Sequence, residues 1–369
     1  MGAVHAGYGV TWAKVILMGE HSVVYGYPAV AVPIRALTME AWVKPIARGV
    51  RGEQSGTQGA DSAGVDSKTY AMSPHRRNVP PQDRLHALDY DGALADAGTR
   101  FGGVEEAVKV ATAFAGCPDQ AFDVTTKSTF PAGRGMGSSA ASAGAVIRAI
   151  LDACDIQASH ADILKLTNEA EVITHGNPSG LDAATTSSFD TVVFESGEMS
   201  TMAIDMPAYL VVADSGIEGS TREAVGSVRE QDARDHGRVK AAMDELGGLA
   251  RASVEDLQRG AVLPLGGRMD RAHDLLAGLK VSHPFVDRLV EAARGAGAVG
   301  AKMTGGGLGG CLIALAPDAV TAQRVRVALL SEGAREVWTY PLDIDAAGSA
   351  DGVDGGEVGG GATGREVEQ

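Results

Sequence analysis

One glycine-rich segment constrains the fold of this chain more than any other feature. Residues 131–141 read Pro-Ala-Gly-Arg-Gly-Met-Gly-Ser-Ser-Ala-Ala, between a β-rich run at 122–128 and a helical pattern at 139–154. A strand that leads through glycines into a helix presents backbone N–H groups at the positive end of the helix dipole. The segment therefore predicts a phosphate-binding loop, although a glycine turn that only packs a small-residue helix would have the same pattern.

Two common phosphate-binding motifs do not match this loop. A Walker A motif has lysine directly before its Ser/Thr, and this chain has Gly137 there. A dinucleotide fingerprint fits residues 135–140, but the acid expected about 20 residues later would be Asp152 or Asp155, inside the same helical run. A nicotinamide-dependent dehydrogenase is thus a weak alternative, and any lysine on the phosphates must come from elsewhere in the chain.

Polar side chains at the start of the helix and around a later turn are suited to bind a metal ion. Of Ser138 and Ser139, one can cap the helix and the other can reach a metal ion that bridges phosphates. Glu171 lies in the last turn of an amphipathic helix, a Gly-Asn-Pro-Ser-Gly turn follows, and Asp182 starts another helix. The turn returns the two carboxylates to one neighbourhood, where one can serve a divalent cation and the other a reacting hydroxyl. Asp182 as a simple helix cap is the alternative.

Two further segments contain residues suited to a site. Residues 14–26 form a short apolar run that ends in Gly-Glu-His, with ionisable groups clustered at the predicted strand end. Residues 302–311, Lys-Met-Thr-Gly-Gly-Gly-Leu-Gly-Gly-Cys, form a second glycine run between two predicted strands. An exposed turn and a tight hairpin are the respective alternatives. The glycine-rich segments 131–141 and 302–311 fall in what we predict below to be two separate domains, and this arrangement predicts a ligand-binding cleft.

The remaining pattern predicts two α+β domains. The first half mixes short strands with helices, and the second begins with a buried-strand run at 209–213, so we place the boundary after residue 205. Residues 47–67 show no apolar periodicity and are interpreted as a flexible insertion. The acidic segment 346–369 is predicted to be disordered, because its glycine-rich sequence cannot bury a core. The C-terminal domain is thus 206–345.

Charge and cysteine content exclude several classes of partner. The net charge is −15, and outside residues 343–369, with one Arg and seven acids, it is still −9. An acidic body without a long basic cluster argues against nucleic acid or a membrane surface as partner. Three scattered cysteines fit neither a disulfide framework nor a C-x-x-C metal site. With no apolar run long enough for a membrane span, we expect a cytoplasmic protein whose partner is a small molecule.

These motifs together resemble the family of small-molecule kinases that includes galactokinase, homoserine kinase, mevalonate kinase and phosphomevalonate kinase. The resemblance covers about residues 8–342 and rests on three motifs in order, at 14–26, 131–141 and 302–311. Among the members, the mevalonate kinases are the ones that residues 175–182 resemble most. Met136 stands where the family usually has leucine, a volume-conserving change.

The resemblance implies a fold, cofactors and site residues. The fold is a ribosomal-protein-S5-domain-2-like N-terminal domain and a ferredoxin-like C-terminal domain, with the active site in the cleft between them. The implied ligands are ATP, Mg²⁺ and mevalonate, and a homodimer is expected. Asp182 and Lys14 are the implied catalytic pair, and Ser138, Ser139 and Glu171 the metal ligands. The implied cofactor-binding residues are Pro131, Gly133, Gly135, Met136, Gly137, Ser138, Ser139, Ala140, Gly305, Gly306 and Gly307, and the implied substrate residues are Glu20, His21, His175 and Thr221.

Two kinds of alternative remain open. Another kinase of the same family would take phosphomevalonate, homoserine or a sugar, and a phosphorylated acceptor should require more Lys and Arg around residues 14 and 171–182 than the sequence has. A catalytically silent nucleotide-binding regulator of the same fold is the second. The joint presence of Lys14, Glu171 and Asp182 favours an enzyme over it.

Overall fold

The structure, a computed structural model, describes residues 4–47, 82–175, 179–195 and 197–342, with the backbone alone at residues 174 and 175. The described residues form two compact units, the first within the ranges Met1–Val15 and Ala31–Val192 and the second within Ile16–Val30 and Val193–Gln369. The domain boundary predicted after residue 205 stays a prediction. The predicted tail, and the predicted insertion from residue 48 on, lie outside the described residues.

The first unit is an α+β arrangement around a sheet. Its strands are β1 Gly7–Met18, β2 Ala29–Pro45, β3 Arg84–Ala87, β4 Tyr90–Ala93, β5 Phe122–Ser128 and β6 Thr191–Glu195, of which β1, β2 and β6 continue into the second unit. The strand order is β4-β3-β5-β2-β6, and β1 also pairs with β2. Its helices are α1 Gly102–Phe114, α2 Ser138–Ala153, α3 His160–His175 and α4 Leu181–Thr186. The strand β2 runs without interruption over 17 residues.

Small residues bring β1 and α2 close together. A Cβ at Gly9 would lie 2.1 Å from the carbonyl oxygen of Ala145, so only glycine allows this approach. The buried face of α2 consists largely of alanine. The helix that follows the predicted phosphate loop therefore packs directly on the strand that carries Lys14.

The second unit contains a four-stranded antiparallel sheet with the strand order β11-β8-β10-β9. Its strands are β7 Glu198–Met202, which pairs with β6, β8 Tyr209–Asp214, β9 Gly300–Met303, β10 Cys311–Ala316 and β11 Glu336–Pro341. Its helices are α5 Thr221–Arg234, α6 His236–Gln258, α7 Val262–Gly278, α8 Pro284–Gly295 and α9 Ala319–Glu332. No helix of the described residues is long and apolar enough to cross a membrane.

The helices between β8 and β9 divide at a different point from the predicted one. The sequence predicts helices at 221–246 and 249–260, separated at the Gly247–Gly248 pair. In the structure the helix is instead interrupted at Asp235, whose side chain caps the start of α6. Gly247 lies inside α6, where a Cβ would be 2.3 Å from Cδ1 of Tyr27. This glycine serves a close side-chain approach and does not end a helix.

Candidate active site

The glycine-rich loop lies between β5 and α2, as the sequence predicts. Gly133, Gly135 and Gly137 have φ angles of 71°, 77° and 74°, a left-handed conformation that favours glycine. The N-cap residue of α2 is Gly137, which has no side chain to accept a backbone N–H. The prediction that Ser138 or Ser139 caps this helix is therefore wrong. The start of α2 thus keeps N–H groups for an anion, and the loop fits the phosphates of a nucleotide.

Lys14 and Asp182 form an ion pair in the same unit. Lys14 is on β1 and Asp182 is in the first turn of α4, and Nζ lies 2.9 Å from Oδ1. The lysine side chain is 3% exposed, whereas that of the aspartate is 42% exposed. A buried ammonium therefore holds a carboxylate that can still be reached from outside. The N-cap of α4 is Gly180, so Asp182 is not its N-cap.

This ion pair is built against the glycine-rich loop. The backbone N–H of Lys14 donates to the carbonyl of Met136 at 3.0 Å. A Cβ at Gly137 would lie 2.9 Å from Cγ of Lys14 and 3.0 Å from Cγ2 of Thr186. Any larger residue at position 137 would push against the lysine stem. Two motifs that lie far apart in the sequence thus form one group of contacts.

Ser139 and Glu171 supply oxygen atoms suited to a hard metal ion. The hydroxyl of Ser139, in the first turn of α2, donates to Oε1 of Glu171 at 2.5 Å, and Glu171 is buried on α3. Within the described ranges, no cluster of three or more His, Cys, Asp or Glu side chains is arranged to hold a metal ion. Mg²⁺ commonly takes one or two protein oxygens and completes its shell with phosphate and water, so this pair fits it.

In the second unit, Glu20 and Lys302 form a buried ion pair. Lys302 is on β9 with no exposed surface, and its Nζ donates to Oε1 of Glu20 and, at 2.7 Å, to the carbonyl of Met303. Burial lowers the pKa of Lys302, and the neighbouring carboxylate of Glu20 acts in the opposite direction. This pair ties the turn after β1 to the strand that leads into the second glycine run.

His21, next to Glu20, contacts that glycine run directly. Its Nε2–H donates to the carbonyl of Gly306 at 2.9 Å. Burial is the main reason that the pKa of His21 is lowered to about 4, so its imidazole is neutral at pH 7. His21 also has a φ of 61°, a backbone conformation that costs energy for a residue other than glycine. The surrounding contacts therefore hold this turn in a defined geometry.

The second glycine run packs on the start of α5. A Cβ at Gly306 would lie 2.1 Å from Oγ1 of Thr221, and the N–H of Ser220 donates to the carbonyl of Gly307 at 3.3 Å. Thr304 fixes the same run to β1, because its Oγ1 bonds both the N–H and the carbonyl of Ile16 at 2.9 Å. The structure thus brings Thr221 and residues 305–307 together.

The sequence-predicted site residues fall into two groups, one in each unit. The first unit contains Lys14, Pro131, Gly133, Gly135, Met136, Gly137, Ser138, Ser139, Ala140, Glu171 and Asp182, and the second contains Glu20, His21, Thr221, Gly305, Gly306 and Gly307. Met136 and Ala140 are buried, so at these positions the backbone is what a ligand can meet. His175 ends α3, and its side chain lies outside the described part of the chain.

Two residues of these contacts had no role assigned from the sequence. Lys302 and Thr304 belong to a quoted motif, but their partners Glu20 and Ile16 lie at the other end of the chain. Lys302 carries one usable signal. It stands in the run Gly-Ala-Lys-Met before a glycine turn, and a lysine in a strand buried throughout requires an acid nearby.

Comparison with known proteins identifies relatives along most of the chain. Residues 104–189 match the model of the GHMP kinases N terminal domain, and residues 253–335 match that of the GHMP kinases C terminal domain. The chain is 32% identical over 318 residues to the mevalonate kinase of Pyrococcus abyssi, covering 83% of this chain and 87% of that protein.

Solved structures agree in fold. The crystal structure of L. major mevalonate kinase in complex with R-mevalonate superposes with a TM-score of 0.71 at 23% identity, covering 91% of this chain and 96% of that chain. The mevalonate kinase from methicillin-resistant Staphylococcus aureus MRSA252 superposes with a TM-score of 0.66 at 26% identity, covering 92% and 99%. The predicted two-domain α+β fold is thereby confirmed.

Proposed function

Because this chain belongs to the GHMP kinase family, we propose that it is an ATP-dependent mevalonate kinase, which transfers the γ-phosphoryl group of ATP to the primary hydroxyl of mevalonate. The observation that supports this reaction class is the ion pair of Lys14 and Asp182, in which Nζ lies 2.9 Å from Oδ1. The stem of Lys14 packs on Gly137 of the glycine-rich loop. The identity to curated mevalonate kinases supports the choice of acceptor.

In this proposal the first unit holds the phosphates and their cation. The backbone of residues 133–140 binds the nucleotide phosphates at the start of α2, where the N–H groups and the helix dipole favour negative charge. Glu171, with Ser139 or Ser138, holds Mg²⁺ through carboxylate and hydroxyl oxygens. When bound, Mg²⁺ neutralises charge on the phosphates that repel an incoming oxygen.

Asp182 is proposed to orient the acceptor hydroxyl. Phosphoryl transfer with a loose transition state depends mostly on position and charge, so a hydrogen-bond acceptor of fixed direction is more useful than a strong base. Lys14 fixes the carboxylate through its ion pair, and the partly exposed side of Asp182 remains available to the hydroxyl. Deprotonation of that hydroxyl early in the reaction is not required.

Two side chains of the second unit are proposed to contact the acceptor. His21 and Thr221 are proposed to contact mevalonate. The glycines at 305–307 stay proposed cofactor-binding residues, where the lack of side chains allows close approach of the backbone. Glu20 is buried in its pair with Lys302, so we assign it to holding the turn in place. His175 stays a proposed substrate residue on the resemblance alone. A cytoplasmic location and a homodimer likewise stay predictions.

The acceptor is tested with a panel of hydroxyl compounds. We expect purified protein with Mg-ATP to release ADP with mevalonate at least about tenfold faster than with phosphomevalonate, homoserine or galactose, because each of these differs from mevalonate in charge or shape at the acceptor site. Coupled ADP detection measures the rates, and phosphorus NMR identifies the product. Faster turnover of another panel member would make the protein a different kinase of this family, and no turnover with any would support the silent regulator.

The proposed metal ligand is tested with Glu171→Gln. The substitution keeps the shape and removes the charge, so we expect the Mg²⁺ concentration for half-maximal rate to rise by about tenfold or more. Titration of the rate with Mg²⁺ at fixed ATP measures the effect. Glu169→Gln, on the same helix, is the matched control and should leave the titration unchanged. An unaltered Mg²⁺ requirement in Glu171→Gln would remove this residue from the metal site.

A further inference from the structure

Two thiols that the proposed reaction does not use lie in contact in the first unit. Cys117 lies just beyond the end of α1, and Cys154 is the residue that follows α2. Their Sγ atoms are 3.3 Å apart and joined by a hydrogen bond, and both cysteines are free thiols. The sequence separation of 37 residues gave no sign of this contact.

We propose that Cys117 and Cys154 form an oxidation site that closes into an intramolecular disulfide. A disulfide places its sulfurs about 2.05 Å apart, so the two atoms need to approach by about 1 Å. Both cysteines lie near helix ends, where side-chain rotations can supply that movement. Their backbones are anchored, since the N–H of Cys117 donates to Thr112 at 2.9 Å and that of Cys154 to Ile150 at 3.1 Å.

The reaction with a peroxide balances without any other reactant. Cys154, the more exposed thiol, attacks one peroxide oxygen, the O–O bond breaks, and a sulfenic acid and one water form. The sulfur of Cys117 then attacks that of Cys154, the S–S bond forms, and the S–O bond breaks to release a second water with the Cys117 proton. The two thiols together lose two electrons and two protons, which reduce one peroxide.

The surroundings make this a slow site with one favoured product. Burial, together with the hydrogen bond that this thiol shares with Cys117, raises the pKa of the Cys154 thiol to about 12, so little thiolate is present at pH 7. The first step therefore requires an excess of peroxide. Once Cys154 is oxidised, Cys117 is already in contact, and cross-linking is faster than further oxidation.

The cross-link would lie far from the proposed phosphate site. Cys154 follows the last residue of α2, whereas Ser138 begins this helix of 16 residues, a separation of roughly 24 Å. The disulfide would join the ends of two helices that pack on each other, and it would restrict the unfolded chain. We expect a more stable protein with a catalytic rate close to that of the reduced form.

The test uses the full chain, treated with excess hydrogen peroxide, alkylated and mapped by mass spectrometry. We expect a Cys117–Cys154 linked peptide, an unmodified thiol at the fully buried Cys311, and a Tm higher by about 5 °C that a dithiol reductant reverses. Cys117→Ser and Cys154→Ser are the matched variants. Both variants should have the Tm of the reduced protein, and oxidation should not raise it. Cys117→Ser should in addition accumulate sulfenic or sulfinic acid at Cys154.

Three outcomes would overturn the proposal. These are a wild-type protein in which all thiols survive excess peroxide, one in which Cys154 stops at sulfinic acid without a linked peptide, and one whose cross-links join two chains or involve Cys311. A linked peptide without any rise in Tm would support the oxidation site but contradict the expected stabilisation of the fold.

Discussion

Asp182→Asn should lower kcat by a factor on the order of 10² to 10⁴ while nucleotide affinity stays close to that of the unchanged protein. The amide keeps the shape of the side chain but carries no charge, so it cannot form the ion pair with Nζ of Lys14, which now lies 2.9 Å from Oδ1. It also loses the anionic acceptor that is proposed to aim the hydroxyl. Single-turnover rates and binding of an ATP analogue with Mg²⁺ measure the two effects separately.

A double substitution makes the same prediction sharper. If Lys14 acts by holding Asp182, Lys14→Met should lower kcat by a similar factor, and the double variant should be little worse than either single one. Asp190→Asn, an exposed acid shortly after α4, is the matched control and should have no effect on kcat. Multiplicative losses in the double variant would show that the two residues act independently. Near-normal turnover of Asp182→Asn would contradict the assignment altogether.

Lys302→Met should destabilise the fold by about 3–5 kcal/mol. The substitution keeps most of the volume of the side chain but removes the ammonium, and Glu20 is left with its carboxylate almost fully buried. A buried carboxylate that loses its ammonium partner is costly, since the protein interior screens its charge poorly. Equilibrium unfolding in urea, monitored by circular dichroism, measures the change in the free energy of unfolding.

The matched variant removes both charges at once. Glu20→Gln combined with Lys302→Met should recover most of the lost stability, because neither charge of this pair then remains. Lys280→Met, an exposed lysine of the same unit, controls for loss of a positive charge and should change stability by less than about 0.5 kcal/mol. If the double variant is less stable than Lys302→Met, the attraction between Glu20 and Lys302 does not explain the loss.

Sequence patterns predicted helices, strands and loops well wherever the residues within one segment determine its conformation. The loop at 131–141 follows a strand and begins a helix because its glycines take left-handed φ angles and small residues follow them. The four short strands β3, β4, β6 and β7 were missed, since strands of four or five residues hold too few positions for a clear alternation. The family prediction, made from three motifs, is confirmed.

The sequence by itself determined which residues are suited to phosphate, metal and hydroxyl chemistry, because glycine conformations, helix starts and side-chain types are local properties. Only the tertiary structure decided their partners. It paired Lys14 with Asp182, Glu171 with Ser139 and Glu20 with Lys302, and it put Cys117 against Cys154. Each contact joins segments far apart in the chain, and such distances depend on how helices and strands pack rather than on the pattern within any one of them.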